Sequence, residues 1–373
     1  MNPKVANTFA LGIIVLGGTV CASASAEDMQ ITRQIILSPT HKVAPYSITR
    51  ASNGDLIIAG ADSLGTYHAW ATRVSKSGEL IWEYLDGPSD AWTDYSKHSQ
   101  QFYSAAELGN GATLLCGLKR GMENGKLVAF LVRIGADGKL IDERILQPAH
   151  DGMPIGGIRC LPSQDGIAVL SWLAVLPRGI GWLMRLDADG NVLWEKFGDQ
   201  FGSLDAMPAE NGGLFLVSGS EVRKIDAEGN VLARQALPGS TQTFLQSAGP
   251  PTRVRISVLL SALKTVIIDL DLNLKGPLHT THIEEIGTNR GLYSGNGVAT
   301  LFGSRHVGYF NQPTAGAARV YKNGNSKGFT LEPRFQSGWF NDAVPTDSSG
   351  RDFATVSSLT AGGMGALTWI SFR

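Results

Sequence analysis

Apolar positions in this chain fall in short runs, many alternating with polar residues, and most runs are bounded by a turn signal carrying glycine. One unit recurs: an apolar strand ending in a basic residue, a glycine five positions later, then a second strand. Its copies are Trp70-Ala-Thr-Arg73-Val-Ser-Lys-Ser-Gly78, Phe130-Leu-Val-Arg133-Ile-Gly-Ala-Asp-Gly138 and Trp182-Leu-Met-Arg185-Leu-Asp-Ala-Asp-Gly190. Val222-Arg-Lys224-Ile-Asp-Ala-Glu-Gly229 and Arg319-Val-Tyr-Lys-Asn-Gly324 continue the series, with a degenerate copy at Ile267-Ile-Asp269-Leu-Asp-Leu-Asn273. The first four glycines stand 60, 52 and 39 residues apart, and a gap of 95 residues to Gly324 spans two units. Periods of about 40 to 50 residues belong to four-stranded propeller blades.

Upstream of each copy lies a second, very apolar strand, such as Leu56-Ile-Ile-Ala, Leu114-Leu-Cys116 and Leu214-Phe-Leu-Val217, preceded by Asn53-Gly54, Asn110-Gly111 or Asn211-Gly212. The unit is therefore strand A, turn, strand B, loop, strand C, turn, strand D, with Asp/Asn-Gly read as two-residue hairpin turns. The pattern predicts an all-β, seven-bladed β-propeller of four-stranded antiparallel blades, with six or eight blades as alternatives because the fifth unit is degenerate. The last unit ends after its strand C, at Leu367–Arg373. Met29–Leu37 is the expected fourth strand, closing the ring and covering an exposed sheet edge.

The copy Leu186-Asp-Ala-Asp-Gly190-Asn-Val-Leu-Trp194 resembles the repeat of the bacterial quinoprotein-like propeller superfamily, and the likeness recurs over most of residues 40–373. The resemblance implies the architecture and says little about activity. Members that hold pyrroloquinoline quinone look longer and carry adjacent cysteines. This sequence has no adjacent pair, so a non-catalytic member without cofactor is the reading.

Residues 1–26 carry Lys4, the apolar run Phe9–Val20 and Ala24-Ser25-Ala26. They read as a signal peptide cleaved after Ala26, leaving residues 27–373 as one domain, periplasmic or secreted, with no membrane span. A lipid anchor on Cys21 is the weaker competitor, since Val20 stands where lipoprotein signals carry a small residue. Cys116 and Cys160 remain, both in apolar strands; two buried thiols and a disulfide both fit the sequence. Glycine is abundant, 45 of 373 residues, in keeping with many turns. With 32 Lys+Arg against 33 Asp+Glu there is no field for nucleic acid or an anionic membrane.

Chemistry is sought on the rim formed by the B–C loops and the D–A connections, where insertions collect. The longest insertion holds Asp90, Trp92, Asp94, Tyr95 and His98. The same rim should carry His150, Asp151, Arg178, Arg305, Tyr309, Phe310, Arg334, Trp339 and Asp342. Aromatic and Arg anchors among carboxylates suit partner binding. His279, His282, Glu284 and Glu285 are also expected there, as a solvated loop with no metal. No nucleophile elbow, phosphate loop or triad occurs. The expected function is an exported, monomeric, non-catalytic binder of a protein, an envelope assembly factor or a neutralised toxin, with a glycan or small ligand less favoured. The alternative is a carbohydrate-active or other hydrolase or lyase using rim carboxylates, with or without Ca²⁺.

Overall fold

The computed structural model describes residues 28–373 except 39–40, 63–67, 87–99, 121–126, 147–154, 164–165, 174–179, 202–204, 219, 239–241, 246–253, 262–263, 285, 296–297, 308–311, 322–325, 331–336, 348 and 360–363. Among the described residues, twenty-eight strands form seven four-stranded antiparallel sheets. β1 (Met29–Ile36) is set apart by its partner, described below. The first sheet is β2 (Val43–Arg50), β3 (Leu56–Asp62), β4 (Ala69–Val74) and β5 (Leu80–Leu85). The second is β6 (Gln100–Glu107), β7 (Thr113–Arg120), β8 (Leu127–Ile134) and β9 (Leu140–Leu146). The third is β10 (Ile155–Ser163), β11 (Gly166–Leu173), β12 (Ile180–Leu186) and β13 (Val192–Gly198). The fourth is β14 (Asp205–Pro208), β15 (Leu214–Val217), β16 (Glu221–Ile225) and β17 (Val231–Ala236). The fifth is β18 (Gln242–Leu245), β19 (Val254–Ser261), β20 (Lys264–Leu270) and β21 (Pro277–Glu284). The sixth is β22 (Ile286–Gly295), β23 (Val298–Val307), β24 (Gln312–Val320) and β25 (Ser326–Thr330). The seventh joins β26 (Ser337–Pro345), β27 (Asp352–Leu359) and β28 (Gly365–Phe372) to β1, which pairs with β28 from Met29↔Phe372 to Ile36↔Ala366.

Strand position explains residue choice. β3 is buried at every residue, as a central strand covered on both faces must be, and its sequence is accordingly an unbroken Leu-Ile-Ile-Ala-Gly-Ala run before Asp62. The outer strands leave aliphatic residues open at their starts: Leu80 and Ile81, Leu140 and Ile141, Val192 and Leu193. Core clusters lie between neighbouring sheets. Ala59, Phe102 and Phe130 join the first and second, Cys116, Met184 and Trp182 the second and third, and Leu183, Leu214 and Leu216 the third and fourth. Phe215 and Ile256 join the fourth and fifth, Ile267 and Leu301 the fifth and sixth, and Phe302 and Phe353 the sixth and seventh. Ile58 and Trp70 pack with Val356 and Leu367, joining the first sheet to the seventh. Each fully buried Leu or Phe in these layers contributes about 1.5–3 kcal/mol.

Polar contacts repeat from sheet to sheet. Strand A carries a bulge at Tyr46, at Tyr103 and at Asn341, and the next residue reaches the neighbouring sheet in two of these cases. Ser104 Oγ accepts from the Cys160 backbone N–H at 2.6 Å, and Asp342 Oδ2 accepts from the Ile48 N–H at 3.1 Å. On the opposite rim, side chains of one sheet cover the C–D turn glycine of the next: Arg33 at Gly78, Trp82 at Gly138, Arg133 at Gly190 and Trp194 at Gly229.

Several sequence expectations need correction. The degenerate fifth copy forms a regular four-stranded sheet among the described residues, and its charges have changed places. There Asp269 occupies the strand C position of the cations and Arg255 faces it from strand B, with Nε–Oδ1 2.5 Å. The C–D turns are not two-residue hairpins. Gly78 N–H bonds to Ser75 O and Ser75 N–H to Glu79 O, with the register shifted at Arg73/Val74, so a tight turn ends in a glycine bulge. Only the glycine then needs positive φ, and the preceding Asp137 and Asp189 do not adopt it.

The repeated cations work within and between blades, while Asp187 and Asp226 accept from their own turns' Asn191 and Asn230. Arg73 bonds Asp55 at 3.0 Å and reaches across to Glu107 at 3.2 Å, while Arg185 donates to Gly212 O at 3.0 Å. Lys224 stays within its own sheet on Glu210, and Arg319 lies over the Phe372 ring at 4.8 Å. Cys116 and Cys160 form a disulfide between β7 and β10, Cα atoms 5.9 Å apart. His279, His282 and Glu284 lie on outer strand β21 rather than in a rim loop. Glu285 lies outside the described residues.

Candidate functional site

The B–C and D–A connections share one rim. Of the residues proposed there, Asp90, Trp92, Asp94, Tyr95, His98, His150, Asp151, Arg178, Tyr309, Phe310 and Arg334 lie outside the described residues. Arg305 is placed on the backbone of β23 and Trp339 on that of β26. Asp342 is buried, its Oδ1 accepting from Ala343 N–H at 2.9 Å while Oδ2 holds Ile48. The fold consumes this carboxylate as a link between the seventh and first sheets, leaving it no open face.

The described part of the rim is richest where the first and second sheets meet. β5 runs out towards the longest connection, and Tyr84 and Asp86 stand two apart near its end, side chains on one face. Tyr84 Oη donates to Asp86 Oδ1 at 3.2 Å, and His68 Nδ1 lies 3.1 Å from the Asp86 carbonyl. The Asp86 N–H bonds to Ala69 O at 2.9 Å, fixing the chain as it leaves the strand. Tyr84 leans on Phe102 at 6.2 Å between ring centres, and Phe102 on Phe130 at 5.2 Å. Lys119 pairs with Glu143 and lies over Phe130 at 5.1 Å. Nearby, His41 Nδ1 stands 3.6 Å from Asp62.

Burial pushes both acidic groups up. The Tyr84 hydroxyl is held far above its ordinary range, first by burial and then by the Asp86 charge, so it remains a donor throughout the accessible pH range. The Asp86 carboxyl is raised by burial, then by repulsion from Glu143, with Lys119 partly opposing. A half-buried carboxylate poorly served by solvent gains from a cationic group brought to it, and this is the chemistry the cluster offers. Further in, Tyr46 and Tyr103 stack across the first two sheets with ring centres 5.6 Å apart, and Asn341 donates to Pro45 O at 2.6 Å.

Sequence reasoning singled out the long insertion and passed over Tyr84, Asp86, His68, Lys119 and Glu143. The one available signal was the i, i+2 spacing of Tyr84 and Asp86 at the end of an outer strand. Among the described residues no group of three or more His, Cys, Asp or Glu is placed to hold a metal ion. No described helix is long and apolar enough to cross a membrane.

No protein-family model matches the sequence, and no curated protein matches it. Solved structures do resemble it. The WD40 domain of Pan2 from Neurospora crassa superposes with a TM-score of 0.60 at 11% identity, over 92% of this chain and 95% of that one. The WD40 domain of SCAP from fission yeast matches with a TM-score of 0.48 at 11% identity, over 91% of this chain and 98% of that one. A protein of unknown function from Bacteroides caccae matches at 0.47 and 14% identity, over 77% and 97%. The Pan2 likeness shows the fold: this chain is a β-propeller.

Proposed function

We propose that this propeller is an exported, non-catalytic member of the quinoprotein-like repeat group that binds a protein partner through the rim of B–C and D–A connections. The observation that carries the reading is the Tyr84–Asp86 cluster at the root of the longest connection. A fixed hydroxyl donor and an underserved carboxylate sit on an aromatic layer, next in sequence to Asp90, Trp92, Asp94, Tyr95 and His98. Aromatic anchors supply area and carboxylates direction, the composition of a protein-binding surface. The N-terminal 26 residues support export to the periplasm or beyond, where an envelope assembly factor or a toxin is the class of partner. The other anchors read from the sequence, among them His150, Asp151, Arg334 and Trp339, are assigned to the same surface by this proposal.

The test replaces residues 87–99 by a Gly-Ser linker and compares the variant with the parent as bait in the envelope fraction of the source cell, followed by titration of the recovered partner. Melting should be unchanged and affinity should drop by about tenfold or more, the loss of one or two central anchors. Equal affinity after the loop exchange and after joint replacement of Trp92, Tyr309 and Trp339 would overturn the reading. So would turnover of glycans by the unmodified protein.

A further inference from the structure

The opposite rim, made of A–B and C–D turns, holds a pocket of about 180 Å³ at the seam between the seventh and first sheets. Its walls are Arg50, Ser52, Asn53, Gly54, Leu56 and Lys76 from the first sheet and Thr346 and Trp369 from the seventh. Leu56 is buried and forms an apolar floor, while Arg50 and Lys76 are exposed and flank Gly54. The Arg33 guanidinium lies 5.1 Å from the centre of the Trp369 ring and beside Gly78, adding a third cation at the edge.

Charge accounting gives the pocket its sign. No lining residue is acidic. Of the carboxylates near by, Asp55 and Glu107 share Arg73, Glu107 also accepts from the Ser52 N–H at 2.6 Å and Asp347 accepts from Ser349, while Glu79 and Asp352 stand at the adjoining turns outside the wall. Arg50 and Lys76 have no hydrogen-bond or ion-pair partner among the described residues. Two uncommitted cations beside an indole face, with hydroxyls at Ser52 and Thr346, suit an oxyanion carried on a small ring. The volume is well under the roughly 300–1,000 Å³ of pockets for drug-sized ligands, which limits the occupant to about one ring.

We infer that this seam pocket binds a compact carboxylate or phosphate attached to a sugar-sized ring, with Arg50 and Lys76 holding the anion and Trp369 the ring. The site is independent of the partner-binding rim. A ligand there touches both sheets, so it stabilises only the state in which the seventh sheet is docked on the first.

Calorimetric titration of the purified protein at low, constant ionic strength tests this with glucuronate, glucose 6-phosphate, inorganic phosphate and neutral glucose. Glucuronate or glucose 6-phosphate should bind saturably, at least about tenfold more tightly than inorganic phosphate or glucose, and should raise the melting temperature. The Arg50→Gln/Lys76→Gln variant should melt like the parent and lose about tenfold or more in affinity, the effect of removing charge-assisted bonds. Lys76→Ala alone, at an exposed turn, should weaken binding in the same direction and serves where the double variant fails to fold. Absence of saturable binding by both ring-bearing anions, equal binding of glucose or of inorganic phosphate, or undiminished binding by the variants would overturn the inference. Which ring-bearing anion binds more tightly separates a carboxylate source from a phosphate source.

Discussion

Breaking the Cys116–Cys160 disulfide should cost about 4 kcal/mol at 25 °C. The two residues are 44 apart in sequence, and constraining a loop of that length in the unfolded chain gives that figure in the chain-entropy treatment. Both cysteines are buried in the cluster that joins the second and third sheets, with Leu114, Ile158 and Met184 as company. The bond therefore fastens two blades at their inner strands and is shielded from solvent. Urea unfolding of the parent with and without reductant isolates the covalent term, since no atom other than hydrogen changes. The midpoint should fall on the order of 1 M, given the slopes of large domains in urea. The double variant Cys116→Ala/Cys160→Ala should be at least as unstable as the reduced parent and should ignore reductant. A parent whose midpoint does not respond to reductant, or whose two thiols react in the unfolded protein without prior reduction, refutes the reasoning.

Three further outcomes follow from the geometry. Asp342→Ala strands the buried Ile48 N–H at the seam, which should cost about 1–3 kcal/mol and speed hydrogen exchange at Ile48; unchanged exchange there would contradict the link. Gly138→Ala and Gly190→Ala share a left-handed backbone, φ +83° and +81°, and hence a common penalty of about 1–2 kcal/mol. Only at Gly138 would the new Cβ meet Trp82 Cβ, at 2.4 Å, against 3.4 Å to Arg133 Cδ at Gly190, so Gly138→Ala should melt distinctly lower and equal losses would refute the covering contact. Asp86 has a raised folded-state pKa, so its ionised form costs stability at neutral pH, and that cost is lifted as pH falls through the folded value towards the unfolded value of about 3.9. Asp86→Asn keeps an acceptor for Tyr84; it should be more stable than the parent at pH 7 and converge with it near pH 4, and a variant less stable at neutral pH would argue against the assignment.

Local pattern carried the all-β class, the four-strand unit and the glycine turns, because alternation and positive φ are properties of short segments. What it missed depends on neighbours distant in sequence. Nothing around Cys116 or Cys160 says that β7 and β10 face each other, so a bridge and two thiols looked alike. Arg73 reads the same whether its partner is a turn aspartate or Glu107 of the next sheet, and only the docked blades decide. Asp342, within Trp-Phe-Asn-Asp, has the sequence dress of an exposed loop, yet a strand A bulge turns it towards Ile48. Of the candidate rim, the root at Tyr84 and Asp86 was hidden because a tyrosine near the end of an outer strand is ordinary until its burial is known.

The pairing of β1 with β28, down to the reciprocal bonds between the Asp28 and Arg373 backbones, also orders events in time. β1 has no mate until β28 is in place, so closing the seventh sheet depends on one of the most distant contacts in sequence. Topologies of that kind fold late and expose sticky edges meanwhile. Removal of β28 as a whole would leave β1 without a mate, so closure of the seventh sheet turns on this one pairing.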